Sequence, residues 1–589
     1  MQALDTTRGA PRGSPAPRLR PWNAAAIAIA VALLAPIAVV GANLFVPGGE
    51  AWAHLASTVL PDYALNSLAL VAMVAAGTTV VGVTCAWLVA GCEFPGRRFL
   101  EWALALPLAM PAYVIAYAYT DALQFAGPVQ SALRAALGWG AGDYWFPEIR
   151  SLPGAAVMFV AVLYPYVYLL ARVAVIEQSP SLAEAGRTLG LPAWRAFVRV
   201  NLPLARPAIS AGAALACMET LADFGTVSYF GVQTFTTGIF RAWLSMGEPV
   251  VAAKLSMMLL GFVALLIAVE RLARRRARFH ETPTSRKRLR VPLSRGPGLA
   301  ALAACLAPLA VGFAIPAAML ARLALQGGDE QFGARFAMLA ANSFFLSAIT
   351  AAIAVTLAVT MAYGARVSRS RVAATVNRLA GLGYAVPGAV IAVGVLIPAA
   401  RLDNFIADAL DALFGIPAGL ILTGSIFALV YAYLIRFLAV ALQSVEAGLA
   451  KITPAMEDAA RSLGLGPAQA LAKVHLPMMR SSLVTAALLV FVDVMKELPA
   501  TFVMRPFNFD TLAVQAYNLA ADERLAEAST ASLAIVAVGL VPLVFAARRM
   551  VRPEEPRGAR GPAPRSSRAT SSPRGRRSAA RPPGSCQAP

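Results

Sequence analysis

Runs of roughly twenty apolar residues, parted by short polar stretches rich in arginine, proline and glycine, recur from about residue 22 to about residue 547. At 1.5 Å of rise per residue such a run matches the ~30 Å hydrocarbon core of a bilayer. The pattern predicts spans near 22–46, 65–91, 101–125, 152–176, 207–230 and 250–270. A second set follows near 299–325, 337–364, 377–400, 417–441, 482–500 and 530–547. The fold expected is an all-α polytopic membrane protein of about twelve transmembrane helices in two six-helix repeats. An even number of spans per repeat leaves both oriented alike, hence parallel. The first run is longer than a signal-peptide core and reads as an uncleaved helix. Glycine and proline inside several runs are tolerable where neighbouring helices satisfy the freed backbone groups.

With 58% hydrophobic and 14% charged residues, the chain is too apolar for an ordinary soluble protein. The formal charge of +20 sits in loops and tails. Placing the amino terminus in the cytoplasm puts Arg97, Arg98, Arg366, Arg369, Arg371, Arg378, Arg548 and Arg549 inside, and acids such as Asp62, Asp143, Glu148, Asp403, Asp408, Asp411, Asp522 and Glu523 outside. That is the positive-inside arrangement, with both termini cytoplasmic. Aromatic and basic residues do not interleave, so nucleic acid is not an expected partner. The divisions expected are a disordered basic arm (1–21), a first unit (22–270), a basic cytoplasmic linker (271–298), a second unit (299–550) and a disordered basic tail (551–589).

A longer match ties the two sets together. EAGRTLGLPAWRAFVRVNLPLAR, from Glu184 to Arg206, recurs as DAARSLGLGPAQALAKVHLPMMR, from Asp458 to Arg480. At a constant offset Arg187, Leu189, Gly190, Leu191, Ala196, Val200, Leu202, Pro203 and Arg206 become Arg461, Leu463, Gly464, Leu465, Ala470, Val474, Leu476, Pro477 and Arg480. Each copy predicts a short helix stopped by glycine, a second short helix, and a proline where a span begins. A hairpin that only packs on its own bundle would satisfy one copy; a pair at fixed offset favours a shared function. Asn66-Ser67 and Pro111 also recur, as Asn342-Ser343 and Pro387.

These elbows resemble the cytoplasmic coupling loops of ABC importer permeases, in which Glu-Ala-Ala is followed by a glycine and an Ile-x-Leu-Pro. Here Gly186 replaces the second alanine of the first copy, against Ala460 in the second; Asp458 replaces the glutamate; Val200 and Val474 replace isoleucine. The resemblance implies that Glu184, Ala185, Gly186, Arg187, Gly190, Leu202 and Pro203, with Asp458, Ala459, Ala460, Arg461, Gly464, Leu476 and Pro477, dock a cytoplasmic ABC ATPase dimer. It also implies an external or periplasmic substrate-binding protein and a place in the bacterial inner membrane. The chain has no GxxxxGK[ST] loop, and none of its five lysines follows a glycine. ATP and Mg are accordingly expected on the partner ATPase, with no cofactor bound here. No HExxH or GxSxG occurs, so enzyme chemistry is not expected.

Beyond each elbow lie two acids four residues apart, Glu219 with Asp223 and Asp493 with Glu497. They share a helix face and fall near mid-membrane or beyond. A carboxylate at that depth marks a path or a paired structural site. Four converging carboxylates suit a hard cation; the alternative is local pairing, for instance of Glu497 or Asp493 with Lys496. At the same offset Phe235 aligns with Phe509 and Thr237 with Thr511. Tyr113, Tyr117, Tyr119, Tyr164, Tyr166, Tyr168, Tyr431 and Tyr433 could offer phenol oxygens, although packing is the commoner use. The scattered histidines and five cysteines without a CxxC assign no resting metal site.

ETLADFGTVSYFGV and MKELPATFVMRPFNFDTLAV resemble the matching segments of the ferric-iron permease subfamily, in which two permease units are fused. That implies ferric iron as cargo. Permeases for thiamine, aminoethylphosphonate or polyamines share the architecture, and a gradient-driven secondary transporter is the more distant alternative.

Overall fold

The computed structural model describes residues 21–178, 192–275, 290–327, 333–368, 370–417 and 419–551. Residues 1–20, the middle of the linker (276–289) and 552–589 fall outside them, as do Glu184, Ala185, Gly186, Arg187 and Gly190 of the first elbow. The described residues are almost wholly helical. Their one strand pair, Cys92–Glu93 beside Val291–Pro292, is parallel and two residues long.

Among the described residues ten helices are long and apolar enough to cross a bilayer, or eleven if one bent pair counts as a span. Ten of the expected runs are among these, and the other two, both in the first unit, are helical but depart from a single straight apolar span. The run near 207–230 forms the helix Leu202–Ala222, which is not among the ten; Arg206 and Glu219 dilute its hydropathy, and the chain leaves the helix at Asp223. The run near 101–125 is broken, with Arg97–Ala109 and Ala112–Leu137 meeting at 90°. Pro111 stands at that break in an extended conformation (φ −61°, ψ 143°), and Pro387 repeats it (φ −60°, ψ 142°) before the helix Gly388–Phe414. Proline has no N–H to continue the preceding helix, yet its φ suits the start of the next.

Other paired devices make the repeat visible. Ser151 and Ser425 each accept the backbone N–H three residues on, capping Leu152–Glu177 and Ile426–Leu449. Asn66 and Asn342 donate to the carbonyls of Gln233 and Asp510 at 2.9 and 3.0 Å. Ser67 and Ser343 accept from the N–H groups of Phe235 and Leu512. Phe235 is therefore equivalent to Leu512, and Thr234 to Thr511. The constant offset, which paired Phe235 with Phe509 and Thr237 with Thr511, fails here because the second unit has a longer turn, closed by an Arg505–Asp510 ion pair.

The units also exchange their first helices. Pro21–Asn43 packs on Ala334–Ser368, Arg371–Ala380 and Gly388–Phe414 of the second unit. Trp22 meets Tyr363 edge-on at 5.5 Å, and Tyr431 donates to the Ala32 carbonyl. In return Arg295–Leu309 and the π-helical turn Ala310–Ala314 lie against the first unit, where Tyr119 donates to the Val311 carbonyl at 2.9 Å, while Ile315–Gly327 packs mainly on Leu525–Val551 of its own unit. Within the first unit Leu60–Gly91, Leu152–Glu177 and Leu202–Ala222 meet at Val167; a Cβ on Gly82 or Gly212 would fall 2.7 Å from it. Close backbone approach through small residues holds helices together where lipid offers no hydrophobic drive. Outward-facing Leu65, Val80, Leu265, Phe344, Val484 and Val541 are more than half exposed, as lipid-facing positions require.

Candidate translocation site

Each elbow feeds one helix, Leu202–Ala222 or Leu476–Met495, and Glu219 and Asp493 lie ~26 Å along it. Just beyond, the second acid of each pair ties down the next short helix. The Asp223 carboxylate accepts the N–H groups of Thr226 and Val227 at 2.8 and 3.4 Å, at the start of Gly225–Tyr229. The Glu497 carboxylate accepts those of Ala500 and Thr501 at 3.0 Å each and the Thr501 hydroxyl at 2.7 Å, at the start of Pro499–Met504. First-turn N–H groups lack helical partners, and carboxylates are well suited to them.

All four acids line one cavity of about 100 Å³ between the units. Tyr113, Tyr166 and Tyr384 also face it, together with Arg436 and Lys496. Lys496 Nζ lies 3.0 Å from Asp493 Oδ1. Arg436, which sequence reasoning missed, sends Nη2 to within 3.6 Å of Glu219 Oε2 and Nη1 to within 3.8 Å of Glu497 Oε1. The missed signal was the arginine itself, since a guanidinium inside an apolar 24-residue helix is costly unless it is paired.

The serine caps fix Val162 as the first-unit equivalent of Arg436, and the elbow offset fixes Ala222 as that of Lys496; both line the same cavity. The repeat is thus broken in charge. One unit brings two acids, the other two acids and both bases, leaving the carboxylates in excess. Among the described residues no three His, Cys, Asp or Glu side chains are placed to hold a metal ion. The carboxylates line the walls rather than forming one coordination sphere.

Of the other tyrosines singled out in the sequence, Tyr117 packs between Tyr113 and Tyr229, Tyr168 donates to the Glu101 carbonyl at 2.8 Å, and Tyr433 is 2.6 Å from the Thr501 hydroxyl. The Tyr117 hydroxyl is buried with no hydrogen-bond partner among the described residues, and the other two are spent on bonds to neighbouring helices.

The second elbow is described in full. Helix Pro454–Ser462 stops where Gly464 takes φ +80°, with Gly464 N–H bonded to the Arg461 carbonyl and Leu465 N–H to that of Ala460. That double bond pattern is a glycine-terminated C-cap. Asp458 and Arg461 point outward, 71% and 75% exposed, and Leu463 is 81% exposed; Ala460 and Ala470 turn inward. Behind them Arg366 binds Glu457 and the carbonyls of Leu449 and Ile452. His475 bridges the Ala470 carbonyl (2.9 Å) and Glu457 (3.3 Å). A π-helical turn, Leu471–His475, leads into Leu476 and Pro477; the first unit repeats it at Phe197–Asn201 before Leu202 and Pro203. Asn201 there pairs with Gln178 at 2.6 Å instead.

Two like helical units around a charged internal cavity, with an exposed elbow ahead of its carboxylate-bearing helix, define a membrane permease. Residues 78–278 match the family model described as binding-protein-dependent transport system inner membrane component. An Fe(3+)-transport system permease protein of Haemophilus influenzae is 26% identical over 483 residues, covering 81% of this chain and 88% of that protein. The molybdenum transport system permease protein of Escherichia coli is 30% identical over 206 residues, 33% of this chain and 87% of that protein. The Escherichia coli sulfate transport system permease protein CysT is 26% identical over 202 residues, 33% of this chain and 70% of its own length. The chain belongs to the family of binding-protein-dependent transport system inner membrane components, the multi-pass permeases of ABC transport systems.

Proposed function

We propose that this permease takes up ferric iron delivered by an external binding protein, moving it by alternating access driven by a cytoplasmic ATPase dimer. The cavity carries this reading: four carboxylates from two units outnumber the two bases among them. Oxygen-rich, net-negative surroundings favour a hard, highly charged cation. A relative that matches across both units is an Fe(3+) permease. ATP and Mg belong to the partner, which docks on the elbows; in the second, outward-facing Met456, Asp458, Arg461 and Leu463 offer an apolar and charged surface of the kind a cleft accepts. Both termini lie on the same cytoplasmic side.

An oxyanion is the second reading, favoured by Arg436 and Lys496 in the same cavity. Each of these bases already faces a carboxylate, which leaves no net positive charge to hold an anion. The deciding experiment purifies the chain with its co-isolating partners, reconstitutes it and measures ATP hydrolysis and uptake. The solutes offered are ferric-loaded binding protein, molybdate, sulfate, thiamine and an aminophosphonate. ATP-dependent iron uptake is expected. ATP-dependent uptake of another solute overturns the cargo, and gradient-driven uptake without ATP overturns the coupling.

A further inference from the structure

One guanidinium ties the two units together across the cavity. The Arg436 side chain is 9% exposed and splits its terminal nitrogens between Glu219 of the first unit and Glu497 of the second, at 3.6 and 3.8 Å. A well-formed arginine–carboxylate bond is about 2.7–2.9 Å, so Arg436 is shared by two acids and bound closely by neither. Its Nε is buried without a hydrogen-bond partner among the described residues.

The two acids are held unequally. Glu497 is fixed by two backbone N–H groups and the Thr501 hydroxyl, whereas Glu219 has Arg436 as its ion-pair partner and keeps 21% of its side chain exposed. Room for the arrangement comes from Gly388, where a Cβ would lie 2.7 Å from Glu497 Oε1 and 3.3 Å from Arg436 Nη1. The first unit has no counterpart, because Val162 occupies the equivalent place.

We propose, resting on the cation reading above, that Arg436 is a tethered stand-in for the cargo: it bridges Glu219 and Glu497 in the unloaded transporter, and an incoming cation displaces it. A multivalent cation satisfies both carboxylates at shorter range than a shared guanidinium does. Once displaced, Arg436 loses its hold on Glu219, and the link between the units passes from the guanidinium to the cargo itself. The same competition weakens cation binding, which transport needs, since a site must release what it takes up.

The test uses the intact chain with its co-purified ATPase in lipid nanodiscs, and terbium(III) as a trivalent, oxygen-seeking probe read by its luminescence. Arg436→Gln is expected to tighten terbium binding by ~10-fold or more, through removal of one competing charge at close range, and the double variant R436Q/E219Q to lose that gain. Unchanged or weaker binding by a monodisperse R436Q protein overturns the proposal. Should R436Q fail to fold, Arg436→Lys retains the charge but reaches one carboxylate only; a smaller tightening is expected, and none overturns the idea. Uptake measured in parallel separates the two failures. If the wild type imports iron while R436Q binds terbium no more tightly, only the stand-in role falls. If the wild type imports molybdate or sulfate and R436Q abolishes it, Arg436 is an anion ligand and both readings fall.

Discussion

Replacing Gly388 by alanine is the sharpest check on the geometry behind the cavity. The added methyl would sit 2.7 Å from Glu497 Oε1 and 3.3 Å from both Arg436 Nη1 and Pro499 Cβ. Glu497 cannot simply swing aside, because Oε1 accepts the Ala500 N–H and Oε2 accepts the N–H and hydroxyl of Thr501. Overpacking costs ~1–3 kcal/mol, and losing a hydrogen bond to a charged group ~1.5–3 kcal/mol. Alanine returns ~1 kcal/mol through helix propensity and a less flexible unfolded chain. The net expectation is a destabilisation of about 2–5 kcal/mol with impaired uptake. Gly261 supplies the control, since nothing lies within 4 Å of a Cβ there and it sits inside the helix Pro249–Arg275. Gly261→Ala is therefore expected to be neutral or to stabilise by ~0.5–1 kcal/mol. Equilibrium unfolding of both variants in mixed micelles, with uptake in proteoliposomes, gives the comparison. If Gly388→Ala matches Gly261→Ala in stability and the wild type in uptake, the close contact with Glu497 does not exist and the capping account goes with it.

Gly464→Val forces a β-branched residue into φ +80° in open space, a strain of ~1–2 kcal/mol confined to the elbow. Membrane insertion and monodispersity should persist while ATP-driven uptake falls severalfold, and undiminished uptake would remove the elbow from the coupling path. The buried Asp403 carboxylate accepts the N–H groups of Ile421, Leu422 and Thr423. Asp403→Asn turns one acceptor into a donor and should cost ~2–3 kcal/mol in an unfolding titration; a neutral result would mean that the turn is held by other groups. Asn66→Ala and Asn342→Ala remove equivalent hydrogen bonds and should each cost ~1 kcal/mol, and similar amounts. Costs differing by more than about 1 kcal/mol would break the structural equivalence of the units.

Much of this was legible in the sequence because the chain says it twice. The elbows align residue for residue, so the glycine stop at Gly464 falls where the repeat placed it, although the π-turn ahead of Pro477 was not foreseen. The four acids were visible for the same reason, and the structure puts them on one cavity. What was hidden is whatever the repeat does not share. Arg436 faces Val162 in the other unit, so comparing the units draws no attention to it. The turn ending at Asp510 is longer than its counterpart, and a constant offset carried through it mispairs Phe235. Pro111 and Pro387 were seen to recur, but a hydropathy window averages across a break; composition records that the segment is apolar and not that it bends by 90°. The exchange of first helices left no local trace, since Pro21–Asn43 is equally apolar whichever unit it packs on.

That exchange sets a schedule for assembly. The helix Pro21–Asn43 leaves the ribosome well before most of its packing partners, which begin at Ala334, are made. At a synthesis rate of ~5–20 residues per second, it waits in the membrane for tens of seconds before most of the surface it packs on exists. A chain severed in the linker could regain its shape only by re-pairing both fragments, each carrying the other's opening helix. Fusion of the two units on one polypeptide therefore supplies partner choice as well as stoichiometry: the helix that must cross over is already tethered to the unit on which most of its packing lies.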